Sequence, residues 1–188
     1  MSIYRFGDLQ ADSILIQPVG EHELDGLEEE VLQIQKRTKQ EFQMIAWKVE
    51  HWNQELSPWK APAVFGNEPF GDGAKELLND LLAFCSDHDK TYYLGGYSLA
   101  GLFALWASCQ TDRFAGIAAA SPSVWFPGFI EYLKETGTGS DSIYLSLGDR
   151  EEKTKNPVLS TVGNCIREVD AWLRKTGINT MLVWNPGN

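Results

Sequence analysis

Residues 95–101 decide the interpretation of this 188-residue sequence: Gly95-Gly96-Tyr97-Ser98-Leu99-Ala100-Gly101. A strand-like run, 90–94, leads into them, and an apolar run typical of a helix, 99–109, leads out. A serine with small residues two positions before and after it, at a sharp strand-to-helix turn, is typical of a nucleophile held in a strained backbone conformation. The glycines are needed because the chain passes close to its neighbours at such a turn. The stretch therefore predicts that Ser98 is a nucleophile, with a tight structural turn as the alternative.

The rest of the chain alternates strand-like and helix-like segments. Strands are predicted at 13–19, 42–49, 114–120, 142–147 and 179–184, and helices at 27–38, 127–136 and 162–175. The segment 67–85 opens with turn residues and is predicted to become a helix through Leu77, Leu78, Leu81 and Leu82. Such alternation predicts an α/β fold with a mostly parallel sheet and helices on both faces. Ser98 would then lie at the edge where the parallel strands end, which is the edge that binds ligands in such folds.

A dinucleotide-binding turn is the rival interpretation of the same glycines. Gly96, Ser98 and Gly101 have the Gly-x-Gly-x-x-Gly spacing, but the middle glycine is replaced by Ser98. The turn also falls in the middle of the chain and not after the first strand, where that fingerprint belongs. We therefore predict no nucleotide cofactor, and no cofactor of another kind.

Composition suggests one domain spanning residues 1–188. The net charge of −10 argues against nucleic acid or an anionic membrane as partner, and no apolar run is long enough to span a bilayer. Cys85, Cys109 and Cys165 have no metal-ligand spacing, so we expect free thiols, no metal, and a cytoplasmic protein.

Four stretches carry a resemblance to a known family: 95–101, Ala120-Ser121-Pro122-Ser123-Val124-Trp125, Leu147-Gly148-Asp149-Arg150-Glu151, and Trp184-Asn185-Pro186-Gly187-Asn188. The chain resembles an α/β-hydrolase of the esterase D-like branch, from about residue 13 onward. The resemblance implies a carboxylic-ester hydrolase of the serine type acting on a small-molecule ester. In such proteins the last stretch runs into the catalytic histidine, and a final helix follows. This chain stops where the histidine is expected, so the resemblance implies that the histidine and the final helix are missing from it.

The acid that orients the histidine should follow the strand at 142–147. The spacing in the family favours Glu151, with Asp149 as the alternative and Glu152 as a further candidate. The sequence has three histidines, His22, His51 and His88, and all precede Ser98. His88 is expected at the opposite edge of the sheet, whereas His22 and His51 each follow a strand and could approach Ser98.

The remaining predicted site residues are placed by their positions after strands. The oxyanion hole needs two backbone N–H groups, which we assign to Leu99 and to either Gly20 or Glu21. Ser121, Ser123 and Trp125 are expected to line the pocket. A longer loop at 51–62, with Trp52 and Trp59, is a candidate wall or lid.

Two function classes remain open. The first is an ester hydrolase that is weak or inactive as this chain stands, because no histidine follows the acid. The second is a non-catalytic binding or scaffold protein of the same fold. Lipase, thioesterase, peptidase and acyltransferase chemistry use the same apparatus, so the ester is not specified. We also expect part of the last strand to be uncovered, and association of two copies through that end of the sheet.

Overall fold

The computed structural model describes residues 2–64 and 66–187. In these residues, seven strands form one sheet: β1 (Ser2–Gly7), β2 (Ser13–Val19), β3 (Gln43–Lys48), β4 (Thr91–Tyr97), β5 (Phe114–Ala120), β6 (Ser142–Gly148) and β7 (Asn179–Asn185). The strand order is β1-β3-β2-β4-β5-β6-β7, with β1 antiparallel to β3 and every other neighbouring pair parallel. The α-helices are α1 (Leu27–Arg37), α2 (Trp52–Glu55), α3 (Ala74–Phe84), α4 (Leu99–Ser108), α5 (Phe129–Thr136) and α6 (Val162–Lys175).

The helices cover the two faces of the sheet unequally. On one face, α3, α4, α5 and α6 pack against the strands and bury the larger core, which includes Leu102 and Phe103. The other face carries α1, which packs Leu27 and Val31 against Met44 of β3. Helix α4 is buried along its whole length, because its sequence is apolar on every side.

The predicted fold class is confirmed: the sheet is mostly parallel and helices lie on both faces. The sequence did not reveal β1, which lies at the edge of the sheet and is largely exposed, so it has no buried face to impose a hydrophobic pattern. A 3₁₀ segment at Glu21–Gly26, directly after β2, was also not predicted. Within the described residues, no helix has the length and apolar character needed to cross a membrane.

The topology determines where a site can form. The parallel strands β2 to β7 all end at one edge, so the loops that follow them converge there. This edge receives the turn after β4, the Ser121 segment after β5 and the Asp149 loop after β6. The predicted nucleophile, pocket and acid therefore meet at one place.

Candidate active site

Ser98 lies between the last residue of β4 and the first residue of α4. Its backbone has φ 55° and ψ −117°, a conformation that L residues rarely adopt and that stores strain. Gly96 makes this turn possible, because a Cβ on Gly96 would lie 2.4 Å from the carbonyl carbon of Ala100. Gly101 serves the same purpose one turn later, where a Cβ would lie 3.1 Å from Cβ of Pro122.

The strained turn is held by backbone hydrogen bonds. The Ser98 N–H donates to the Ala120 carbonyl at 2.9 Å, and the Ser98 carbonyl accepts the Ser123 N–H at 3.0 Å. The first contact is made by the last residue of β5 and the second by the segment that follows β5, so the neighbouring strand end holds the serine from one side. The Ser98 hydroxyl oxygen is 3.4 Å from that of Ser123.

Glu151 is held in place by two donors. Its Oε1 accepts the Ser121 hydroxyl at 2.6 Å and the Gly148 N–H at 2.7 Å. Asp149 is directed elsewhere, because its Oδ1 accepts the Gly187 N–H at 3.0 Å. Glu152 forms a bidentate ion pair with the Arg167 guanidinium.

Ser121 has a second role that the sequence did not indicate. It is predicted to line the pocket, and it does, but its hydroxyl also binds Glu151. Its backbone lies at φ 43°, and its N–H donates to the Ser146 carbonyl at 2.8 Å. This unusual conformation at the end of β5 is a property of the tertiary structure, and no sequence signal near Ser121 predicts it.

A cleft of about 400 Å³ brings these residues together. The predicted residues that line it are Ser98, Glu151, Ser121, Ser123 and Trp125. Sequence reasoning missed several others that also line it: Tyr97, Arg150, Lys153, Thr154, Leu159 and Val162. Burial raises the pKa of the Tyr97 hydroxyl, and the nearby carboxylates of Glu151 and Glu23 raise it further.

The two sides of the predicted oxyanion hole differ. Leu99 opens α4, and the first N–H groups of a helix have no acceptor within the helix. The Gly20 N–H is already occupied, because it donates to the Glu23 carboxylate at 2.7 Å. Glu21 pairs its carboxylate with Lys48. None of the three residues, Leu99, Gly20 and Glu21, is among those that line the cleft containing Ser98.

None of the three histidines lines this cleft. His22 lies against the Trp52 ring and lines a neighbouring groove that also contains Tyr97. His51 precedes α2, and His88 lies in the turn before β4, at the opposite edge of the sheet. Among residues 2–64 and 66–187, no cluster of His, Cys, Asp and Glu side chains could hold a metal ion.

No protein-family profile matches the chain, and no curated protein sequence does either. Solved structures do match. A siderophore hydrolase, EstA, from Aspergillus nidulans has 17% identity and a TM-score of 0.69, over 98% of this chain and 83% of that one. An IroE-like serine hydrolase from Shewanella oneidensis has 17% identity and a TM-score of 0.75, over 95% of this chain and 65% of that one.

The chain has the α/β-hydrolase fold. A third match, esterase PE8, has 18% identity and a TM-score of 0.58, over all of this chain and 89% of that one. At these identities the likeness concerns the fold, which confirms that part of the resemblance. In α/β-hydrolases the nucleophile lies at a sharp strand-to-helix turn, and Ser98 lies at such a turn, between β4 and α4.

Proposed function

We propose that this chain is a serine hydrolase acting on small carboxylic esters, with Ser98 as nucleophile and Glu151 as the acid. The proposal rests on one observation: the same cleft contains Ser98, in a strained backbone conformation, and Glu151, whose carboxylate is held by hydrogen bonds. The names of the matching structures, which include siderophore hydrolases and esterases, are consistent with it.

The proposed reaction follows from the geometry. The Ser98 oxygen attacks the ester carbonyl and forms a tetrahedral oxyanion, which accepts the Leu99 N–H. Collapse breaks the ester C–O bond: the alcohol leaves with the proton that Ser98 released, the acyl group stays on Ser98, and water then releases it as the carboxylic acid. A second N–H from Gly20 becomes available only if the Glu23 carboxylate releases it, whereas the Glu21 N–H is the alternative.

The proton of Ser98 needs a base, and the sequence has no histidine after residue 88. We therefore propose that turnover by this chain is low. Glu151 would orient an imidazole and stabilise its protonated form, which is the role of the acid in such triads. The described end of the chain lies beside this acid, since the Gly187 carbonyl accepts the Arg150 N–H at 3.2 Å.

Added imidazole tests the proposal on the chain as it is. After subtraction of the protein-free rate at the same imidazole concentration, we expect imidazole to raise the protein-dependent hydrolysis of 4-nitrophenyl acetate about 10- to 100-fold, a fraction of the roughly 10²- to 10⁴-fold effect of a positioned acid–base group. Ser98→Ala should remove this gain, whereas Ser86→Ala, at an exposed serine, should keep it. Without imidazole, Ser98→Ala should change the rate little.

The same assay distinguishes the two acids. Glu151→Gln should lose most of the imidazole-dependent gain, and the matched variant Asp149→Asn should keep it. The opposite result would assign the acid to Asp149. A gain above the protein-free rate that survives Ser98→Ala would arise from another group of the protein and would contradict the proposal.

A non-catalytic binding or scaffold role is the second candidate. It is favoured by one observation, that none of the three histidines lines the Ser98 cleft. If imidazole produces no Ser98-dependent turnover while the cleft still binds small esters, this role is the better description.

We also propose that two copies associate through the C-terminal end of the sheet. Met181 and Trp184 of β7, at the outer edge of the sheet, are 60% and 36% exposed. Light scattering over a concentration series tests the association, and a monomer at every concentration would contradict it.

The location that we propose is the cytoplasm. It is supported by the free state of the three thiols, Cys85, Cys109 and Cys165.

A further inference from the structure

The carboxylates and the cations of the loop that carries Glu151 differ in their contacts with the rest of the protein. Residues 149–155 contain three carboxylates and three cations. Each carboxylate has a partner within the protein: Asp149 binds the Gly187 N–H, Glu151 binds Ser121 and Gly148, and Glu152 pairs with Arg167. Of the three carboxylates, only Glu152 is paired with a cation, whereas Asp149 and Glu151 accept hydrogen bonds from uncharged donors.

The cations of the same loop have no such partners. Arg150, Lys153 and Lys155 are exposed, and none of them forms an ion pair with a side chain in residues 2–64 and 66–187. Arg150 and Lys153 line the cleft that contains Ser98, and Lys155 does not. The cleft thus presents two available cations and one carboxylate that already accepts two hydrogen bonds.

This local charge is opposite to that of the whole protein. The net charge of −10 would weakly repel an anionic substrate at a distance. Among the residues that line the cleft, the two cations, Arg150 and Lys153, outnumber the one carboxylate, Glu151, so the sign of the charge is reversed there. Both Arg and Lys donate charge-assisted hydrogen bonds to carboxylates, and Arg can do so with two parallel bonds.

We infer that the Ser98 cleft selects esters that carry a carboxylate, bound by Arg150 and Lys153 while the ester carbonyl faces Ser98. The inference rests on the proposed hydrolase function. Trp125, Leu159 and Val162 supply an apolar wall for the carbon skeleton between the two groups. Because the cleft is only about 400 Å³, the substrate class is a small ester with an acidic group.

A pair of acetate esters that differ in charge tests the inference. The probes are 4-acetoxybenzoate, which is anionic, and 4-acetoxybenzamide, which is neutral and of the same shape. The readout, in the presence of imidazole, is the kcat/KM for 4-acetoxybenzoate divided by the kcat/KM for 4-acetoxybenzamide. Arg150→Gln with Lys153→Gln should lower this ratio roughly 3- to 10-fold, the range for two exposed ion pairs. Lys155→Gln removes the same charge from the same loop outside the cleft and should leave the ratio unchanged.

Salt separates an electrostatic role from a structural one. Raising NaCl from about 50 to 500 mM should reduce the preference for the anionic ester, because exposed charges are screened. The double variant should have lost this salt dependence, whereas Lys155→Gln, outside the cleft, should keep it. A ratio that is unaffected by both substitutions and salt overturns the inference.

A binding measurement keeps the inference separate from the proposed function. Calorimetry with Ser98→Ala, which cannot be acylated at residue 98, compares the affinities for the two probes directly. Preferential binding of the anionic probe, lost in the Arg150 and Lys153 variants, supports the inference even if no turnover is found. Equal binding of both probes overturns it, and Ser98-dependent turnover would then still support the hydrolase.

Discussion

The two faces of the sheet are built differently. The face under α3, α4, α5 and α6, which we call the closed face, buries Phe103 completely. On the opposite face, which we call the open face, α1 lies over the β2 and β3 end, and side chains of the later strands remain accessible. Tyr144 and Met181 there are 38% and 60% exposed. One face therefore holds most of the hydrophobic stabilisation, and the other keeps apolar surface available.

Strand register explains the shape of the open face. Leu15 pairs with Tyr93, and Ala118 pairs with Tyr144, which pairs with Met181. Small residues alternate with these aromatic ones, so the face contains two adjoining grooves of about 330 and 610 Å³. Strand order and the closed face therefore assemble the Ser98 edge, whereas Tyr144 and Met181 of the open face stay exposed.

The largest expected effect is on the closed face. Phe103→Ala should lower the free energy of unfolding by about 3–5 kcal/mol, because it removes a fully buried ring and leaves a cavity. Tyr144→Ser on the open face should cost less than about 1 kcal/mol. Urea unfolding of both variants measures the difference. Similar losses would mean that the open face is covered in solution.

The second-largest expected effect is a fall in the free energy of unfolding at alkaline pH, caused by two thiols of the closed face. Burial raises the pKa of the Cys85 and Cys109 thiols to about 12, from an ordinary value near 9. Between these values the folded state retains protons that the unfolded state has released. Stability should therefore fall as pH rises above about 9, by at most about 1.4 kcal/mol per pH unit for each thiol.

Urea unfolding at pH 8, 9 and 10 measures this dependence. Cys109→Ala removes one of these two thiols, so the stability of the variant should fall less steeply with pH than that of the parent chain. An equal slope in the two proteins would show that other groups cause the alkaline loss.

The smallest effect on stability, and a distinct effect on association, is expected from the open face. Tyr144→Ser combined with Met181→Ser should reduce concentration-dependent light scattering while the unfolding midpoint changes little. Leu9→Ser, at a 58% exposed leucine in the turn before β2, is the matched control and should leave scattering unchanged. If both changes act alike, association is a general consequence of exposed apolar residues.

Much of the fold follows from local sequence patterns. The predicted bounds of β2, β5 and α6 agree with the structure, because their apolar residues repeat with the period of a strand or a helix and face a core. The turn at Ser98 is also local, since Gly96 and Gly101 are needed within a few residues of it. Strand order then brings Ser121, Ser123 and Trp125 to the same edge, as predicted.

The sequence by itself determined the elements of the closed face and the presence of a serine at a strained turn. Only the tertiary structure decided that Glu151, and not Asp149, binds Ser121, because that choice depends on where two loops from different strands meet. It also decided that Glu23 occupies the Gly20 N–H and that Arg150 and Lys153 enter the cleft. Side-chain direction in an irregular loop is set by distant partners and not by a repeating pattern, so no local period could predict it.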